Sequence, residues 1–211
     1  MESRAREYSR VYDIAARLSA ANEDLCPRKN QTIGIRVENI SDYGRDFRDA
    51  ARSLWQLDET PVVQWLEAGA PASNSGVQVG DRIIAVNGQA IVPNRRASRQ
   101  AIVSIREAAE TGNVLLRLRR GAEVIETNAI PQLGCGYDIQ MIDDDTLNAA
   151  ADGRTIYITR GMLRFVRTDE ELALILGHEL AHNAMRHIEA QQQNALLGTA
   201  AGFTLDILAA A

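Results

Sequence analysis

Residues 168–182 read Thr-Asp-Glu-Glu-Leu-Ala-Leu-Ile-Leu-Gly-His-Glu-Leu-Ala-His, and this run constrains the fold more than any other part of the chain. Thr168 and Glu171 form the pattern of a capping box, in which the threonine oxygen accepts from a first-turn amide and the glutamate reaches back. Leu172, Leu176 and Leu180 follow at intervals of four, so the run predicts a helix with one apolar stripe. His178 and His182 also stand four apart. Four helical residues turn through about 400°, which puts both imidazoles on one face roughly one turn apart. That spacing lets both rings reach one zinc ion at about 2.0–2.1 Å. Glu179 lies beside the first ligand, and zinc lowers the pKa of water to about 7, so this carboxylate is placed to act as general base. The chain has three histidines, and two of them are in this pattern.

With 211 residues the chain can hold one large or two small domains with real cores. Its net charge of −5 argues against nucleic acid as a partner, because phosphates demand a basic face. The arginines at 95, 96 and 99 and at 117, 119 and 120 lie among acidic residues and read as solvated surface. The N-terminal run Met1-Glu-Ser-Arg-Ala-Arg-Glu has no apolar core, so it is no signal peptide. At the other end, Ala195 to Ala211 is apolar but interrupted by Gly198, Gly202 and Asp206. It reads as a packed or interfacial helix, close to a membrane surface at most, rather than a span.

Between these ends the texture changes twice. Arg4 to Leu25 reads as an amphipathic helix that Pro27 stops. Ile33, Ile35 and Val37 alternate as a strand, Asp46 to Leu54 suggests a short helix, and Pro61 to Leu66 another strand. Asn87-Gly88 is a hairpin turn after the apolar run Ile83 to Val86. Ser98 to Thr111 reads as a helix with Gly112 at its stop, and Val114 to Thr127 as a hairpin around Gly121. From Pro131 the pattern shifts again, to a strand at Arg154 to Thr159, a short helix at Gly161 to Val166, and the capped helix.

The segment from Gly69 to Gly88 resembles a PDZ domain of the bacterial protease-associated type. It carries Gly69-Ala-Pro-Ala72, then Gly80-Asp-Arg-Ile83 and Val86-Asn-Gly88. PDZ domains that hold a peptide's terminal carboxylate use a glycine-containing loop. Placed at Trp55 to Thr60, that loop has no glycine, and Asp58 and Glu59 would repel the ligand. A positioning role for the domain stands beside peptide capture.

The wider chain resembles the HtpX-like and CAAX-prenyl-protease-like family of gluzincin peptidases. The resemblance rests on Asn148-Ala149, Ile156-Tyr-Ile-Thr159, Gly161-Met-Leu163, Glu170-Glu-Leu-Ala173 and Gly177-His-Glu-Leu-Ala-His182. It implies an α+β fold, with a partial zincin-like core interrupted by a PDZ-like β-rich domain. The divisions are 1–30 (first core helix), 31–130 (PDZ-like) and 131–211 (core with the metal helix). The resemblance further implies one zinc per chain, a protein or peptide substrate, and substrate contacts from Asn148 and from the strand at Ile156, Tyr157 and Ile158, by strand addition. The family's third ligand is a glutamate in a later helix, and the chain stops at Ala211 before any such motif, so it reads as C-terminally truncated. His187 falls about 900° of rotation after His178 on a continuous helix and so faces away. Glu189 is too far along the axis, and nothing around Asp206 supports it as a ligand.

Cys26 and Cys135 flank the inserted segment, and inserted domains have neighbouring stems, so the two predict a disulfide. A bridge implies an oxidising compartment, the periplasm or cell envelope, with a signal segment outside these residues; two thiols would fit the cytoplasm. The competing function is a non-catalytic PDZ-type binding module on a degenerate or truncated peptidase scaffold. Retention of His178, Glu179 and His182 speaks against it.

Overall fold

A computed structural model describes residues 2–185, with side chains from residue 6 onward. The elements in order are α1 (Glu2–Ala21), β1 (Lys29–Thr32), β2 (Ile35–Glu38), α2 (Arg48–Trp55), β3 (Val62–Leu66), α3 (Pro71–Asn74), β4 (Arg82–Val86), β5 (Gln89–Ala90) and α4 (Ala97–Glu110). They continue with β6 (Val114–Arg120), β7 (Glu123–Ala129), β8 (Gln132–Cys135), β9 (Asp138–Ile142), β10 (Ala149–Ala151), β11 (Thr155–Thr159), α5 (Arg160–Phe165) and α6 (Asp169–Ala184). Among the described residues two compact units result, one from 2–16 and 29–135, the other from 17–28 and 136–185. The architecture is mixed helix and sheet.

In the first unit β2-β3-β4-β6-β7 form the main sheet, β5 pairs with β4, and β1 pairs separately with β8. The turns follow local chemistry. Asn87 and Gly88 both have positive φ (45° and 79°), as a two-residue hairpin turn of the primed type requires. Helix α4 packs on β1, β2, β4 and β6. Its buried residues Ala101, Ile105, Ala108 and Ala109 join Val37, Val63, Ile83, Val86, Leu116 and Leu118 in one core. Asp81 is buried beneath the sheet end, where its oxygens accept from Arg120 Nε and Nη2 at 2.7 Å and from the Gln78 amide. Residues 2–16 group with this unit, whereas the sequence reading put all of 1–30 with the other. Side-chain contacts account for the difference: Tyr12 lies 5.4 Å from the Trp65 ring, and Trp65 Nε1 donates to Asp13 at 2.8 Å.

The second unit centres on a three-stranded sheet in the order β10-β11-β9, antiparallel then parallel. Ile156 and Ile158 of β11 are buried, and α6 packs against β10 and β11. The capping box forms: the Glu171 amide donates to Thr168 Oγ1 at 3.2 Å, and the Thr168 amide donates to Glu171 Oε2. We expect Thr168→Ala to cost about 1 kcal/mol by freeing that first-turn amide, a shift readable in a urea melt. An unchanged midpoint would show that the cap adds nothing.

Both cysteines are disulfide-bonded, so neither thiol is free. No helix among the described residues is long and apolar enough to cross a membrane. The apolar run Ala195 to Ala211, with Asp206, lies outside the described residues, as do His187 and Glu189.

Candidate functional site

Helix α6 buries Leu172, Leu176, Leu180 and Asn183 on one side. His178 and His182 each follow a buried leucine by two residues, which is about 200° of rotation. They therefore stand on the face turned away from the sheet, with His178 exposed and His182 half-buried. Their Nε2 atoms are 3.1 Å apart, and the rings meet edge to face with centroids 4.6 Å apart. Two nitrogens bound to one tetrahedral zinc at about 2.05 Å would be separated by about 3.3 Å. The pair fits one ion almost as it stands. Glu179, the next residue after His178, is half-buried at the edge of this face.

The donor set among the described residues stops at two. Among the described residues no group of three or more His, Cys, Asp or Glu side chains gathers where a metal would sit. Helix α6 ends at Ala184 with Met185 as its cap, three residues before His187.

The far end of α6 is tied to the β10–β11 turn. Asn183 Oδ1 accepts from the Gly153 amide at 2.7 Å, while its buried Nδ2 has no partner among the described residues. Asp152 organises the same turn. Burial pushes its carboxyl up, but the Thr155 and Arg154 amides and the Tyr157 hydroxyl donate to it and hold it below the usual carboxylate range. A carboxyl lowered in the folded state adds stability above its unfolded pKa and loses it as pH falls through the lowered value. From sequence Asp152 reads only as part of a turn with Gly153, and Asn183 carries no local signal because its partner lies on another element.

Strand addition along β11 needs correction. Residues Ile156, Tyr157 and Ile158 are paired on both sides, to β10 through Ala149–Ala151 and to β9 through Asp138–Ile142. A strand with two hydrogen-bonded neighbours has no edge to offer. The outer strand on the α6 side is β10, which begins just after the exposed Asn148. The Asn148 amide donates to Thr159 Oγ1 and its carbonyl accepts from the Thr159 amide, so its backbone closes the hairpin while its side chain is exposed.

The PDZ-like loop also moves. Strand β2 is the outer strand of its sheet, flanked by α4, and the chain enters it through Thr32-Ile-Gly-Ile35. Gly34 has φ +69°, and its amide donates to Thr32 Oγ1. A glycine loop therefore precedes the edge strand at this point. Residues 56–60 instead link α2 to β3, and Asp58 accepts there from Arg82 and the Thr60 amide. One carboxylate does sit beside Gly34: Glu67, whose amide donates to the Gly34 carbonyl and whose carboxyl burial pushes up.

Known proteins match this chain in two segments. Residues 116–210 match the family described as "Peptidase family M48", and residues 62–120 match "PDZ domain". No curated protein matches the chain. Among solved structures, the HtrA3 PDZ domain bound to a phage-derived ligand (FGRWV) is similar over 50% of this chain and 88% of its own, at 24% identity and TM-score 0.36. The HtrA-type protease AlgW with decapeptide is similar over 50% of this chain at 23% identity and TM-score 0.35, and AlgW with tripeptide at 22% and 0.34. The similarity spans 30% and 32% of those two proteases.

Proposed function

We propose that this chain, which joins a segment of peptidase family M48 to a PDZ domain, belongs to a zinc-dependent endopeptidase. The observation that carries the reading is the 3.1 Å between the Nε2 atoms of His178 and His182, on the side of α6 turned away from the sheet. These two residues would hold the ion, and a bound zinc supplies Lewis acidity toward a peptide carbonyl and toward water. Glu179 would accept the proton that the attacking water loses. The β10 edge, from Asn148 to Ala151, supplies backbone groups that would align an extended substrate beside the helix.

Two histidines leave a tetrahedral site short, since catalytic zinc sites have three protein ligands. The third is proposed to be a glutamate outside residues 1–211. Accordingly, the 211-residue chain should bind zinc weakly and hydrolyse casein slowly or not at all beside a longer form. Equal activity in the two forms would place the third ligand within these residues.

The PDZ domain would present substrates or partners. Its open β2 edge beside α4 suits an added peptide strand whose end meets the Gly34 turn. Glu67 at that turn disfavours a strong grip on a carboxylate. A non-catalytic binding module is the weaker reading, because the two ligands and the base are all retained. The disulfide-bonded state of Cys26 and Cys135 supports a periplasmic or cell-envelope location over the cytoplasm. Alkylation of cells under acid quench should find both thiols protected, and free thiols in the native protein would remove that location.

A further inference from the structure

On the first unit, the β2–β3 surface carries a pocket of about 50 Å³ between the start of α1, the end of α2 and the strands. Five aromatic side chains line it: Tyr8, Tyr12, Tyr43, Trp55 and Trp65. Trp55 and Trp65 are the only tryptophans in the chain. Tyr43 and Trp55 pack against the small adjoining core of Ile40, Ala51, Leu57 and Val62, while Tyr8, Tyr12 and Trp65 form a chain of ring contacts.

The polar groups in the pocket define what it can take. Arg36 lies 4.6 Å from the centre of the Tyr12 ring, and its Nε donates to Glu38 Oε1 at 3.1 Å. Glu38 Oε2 accepts from the Tyr43 hydroxyl at 2.5 Å. The one cation and the one anion in the lining thus answer each other, and the pocket carries no net charge to select an ion. The two terminal nitrogens of Arg36 make no hydrogen bond among the described residues, and neither does the Gln64 amide. What remains on offer is chiefly donors among ring faces.

A neutral ligand with apolar rings and unsatisfied carbonyls fits that combination. Polyproline II chain has these features, since it makes no internal hydrogen bonds, its carbonyls are free to accept, and its prolines pack on aromatic faces. We propose that this pocket binds a proline-bearing, extended segment of another polypeptide. The pocket takes Arg36 and Glu38 from β2 itself, and the inference does not depend on the peptidase reading.

Tryptophan fluorescence of the full chain tests it directly, because both indoles line the pocket. The probe is an acetylated, amidated hexaproline peptide, beside an alanine–glycine peptide of equal length, benzoate and tetramethylammonium. A saturable spectral change with hexaproline alone is the expected result. Tyr8→Ala, which removes one wall from the helix side, should weaken binding about tenfold, the effect of truncating an aromatic contact. Gln64→Ala, checked like Tyr8→Ala for an unchanged melting curve, should weaken it about threefold, as loss of one neutral hydrogen bond would. No saturable change up to about 10 mM peptide would overturn the proposal. An equal or larger response to the proline-free peptide, to benzoate or to tetramethylammonium would also overturn it, as would unchanged binding in both folded variants.

Discussion

Glu179→Gln in the full-length protein is expected to lower peptide hydrolysis by a factor of about 10²–10⁴ or more while zinc content stays at the wild-type level. Glutamine keeps the size of the side chain and cannot take a proton from water. The half-buried position beside His178 gives it no other charge partner to disturb among the described residues. His178→Ala should behave differently, losing metal and activity together, because it removes one of the two nitrogens that stand 3.1 Å apart. Near-normal turnover in the glutamine variant would take Glu179 out of the mechanism.

The largest expected change in stability comes from a residue with no chemistry. Gly161 is the second residue of α5, the helix that directly follows β11, and a Cβ there would run into the backbone carbonyls of Asp145 and Thr146. The Gly161 amide already donates to the Asp144 carbonyl at 2.9 Å, so the two segments are fixed against each other. Overpacking against backbone leaves no side chain to swing away, and Gly161→Ala should cost about 3 kcal/mol, at the upper end of such substitutions. Gly177→Ala is the matched control, with nothing within 4 Å of the added carbon. It sits inside α6, where alanine is better than glycine by about 0.5–1 kcal/mol, so it should leave stability unchanged or raise it. Chemical denaturation of both variants settles the contrast, and equal midpoints would refute the steric account.

Local features carried most of what could be read in advance. The capping box at Thr168 and Glu171, the Asn87-Gly88 turn and the glycine stop at Gly112 (φ +83°) depend on a few neighbouring residues, and each forms. The spacing of His178 and His182 likewise needs only a helix to bring the two rings together. Sheet order is different, because it joins residues far apart in the chain. Nothing near Ile156 to Ile158 reveals that β9 and β10 close both its sides. The alternation of Ile33, Ile35 and Val37 hid a turn at Gly34, where the chain passes from β1 to β2, and with it the glycine loop. The contact that requires glycine at position 161 crosses fifteen residues of sequence, and the pocket at Arg36 gathers side chains from four elements.

The most direct test of the zinc reading is hydrolysis of casein by the full-length protein after removal of metal with a chelator, before and after one equivalent of zinc per chain. Activity should vanish on depletion and return with zinc in the wild type. It should not return in His178→Ala or His182→Ala. Hydrolysis that survives complete metal removal, or that returns equally in either histidine variant, would contradict the assignment of these two residues as zinc ligands.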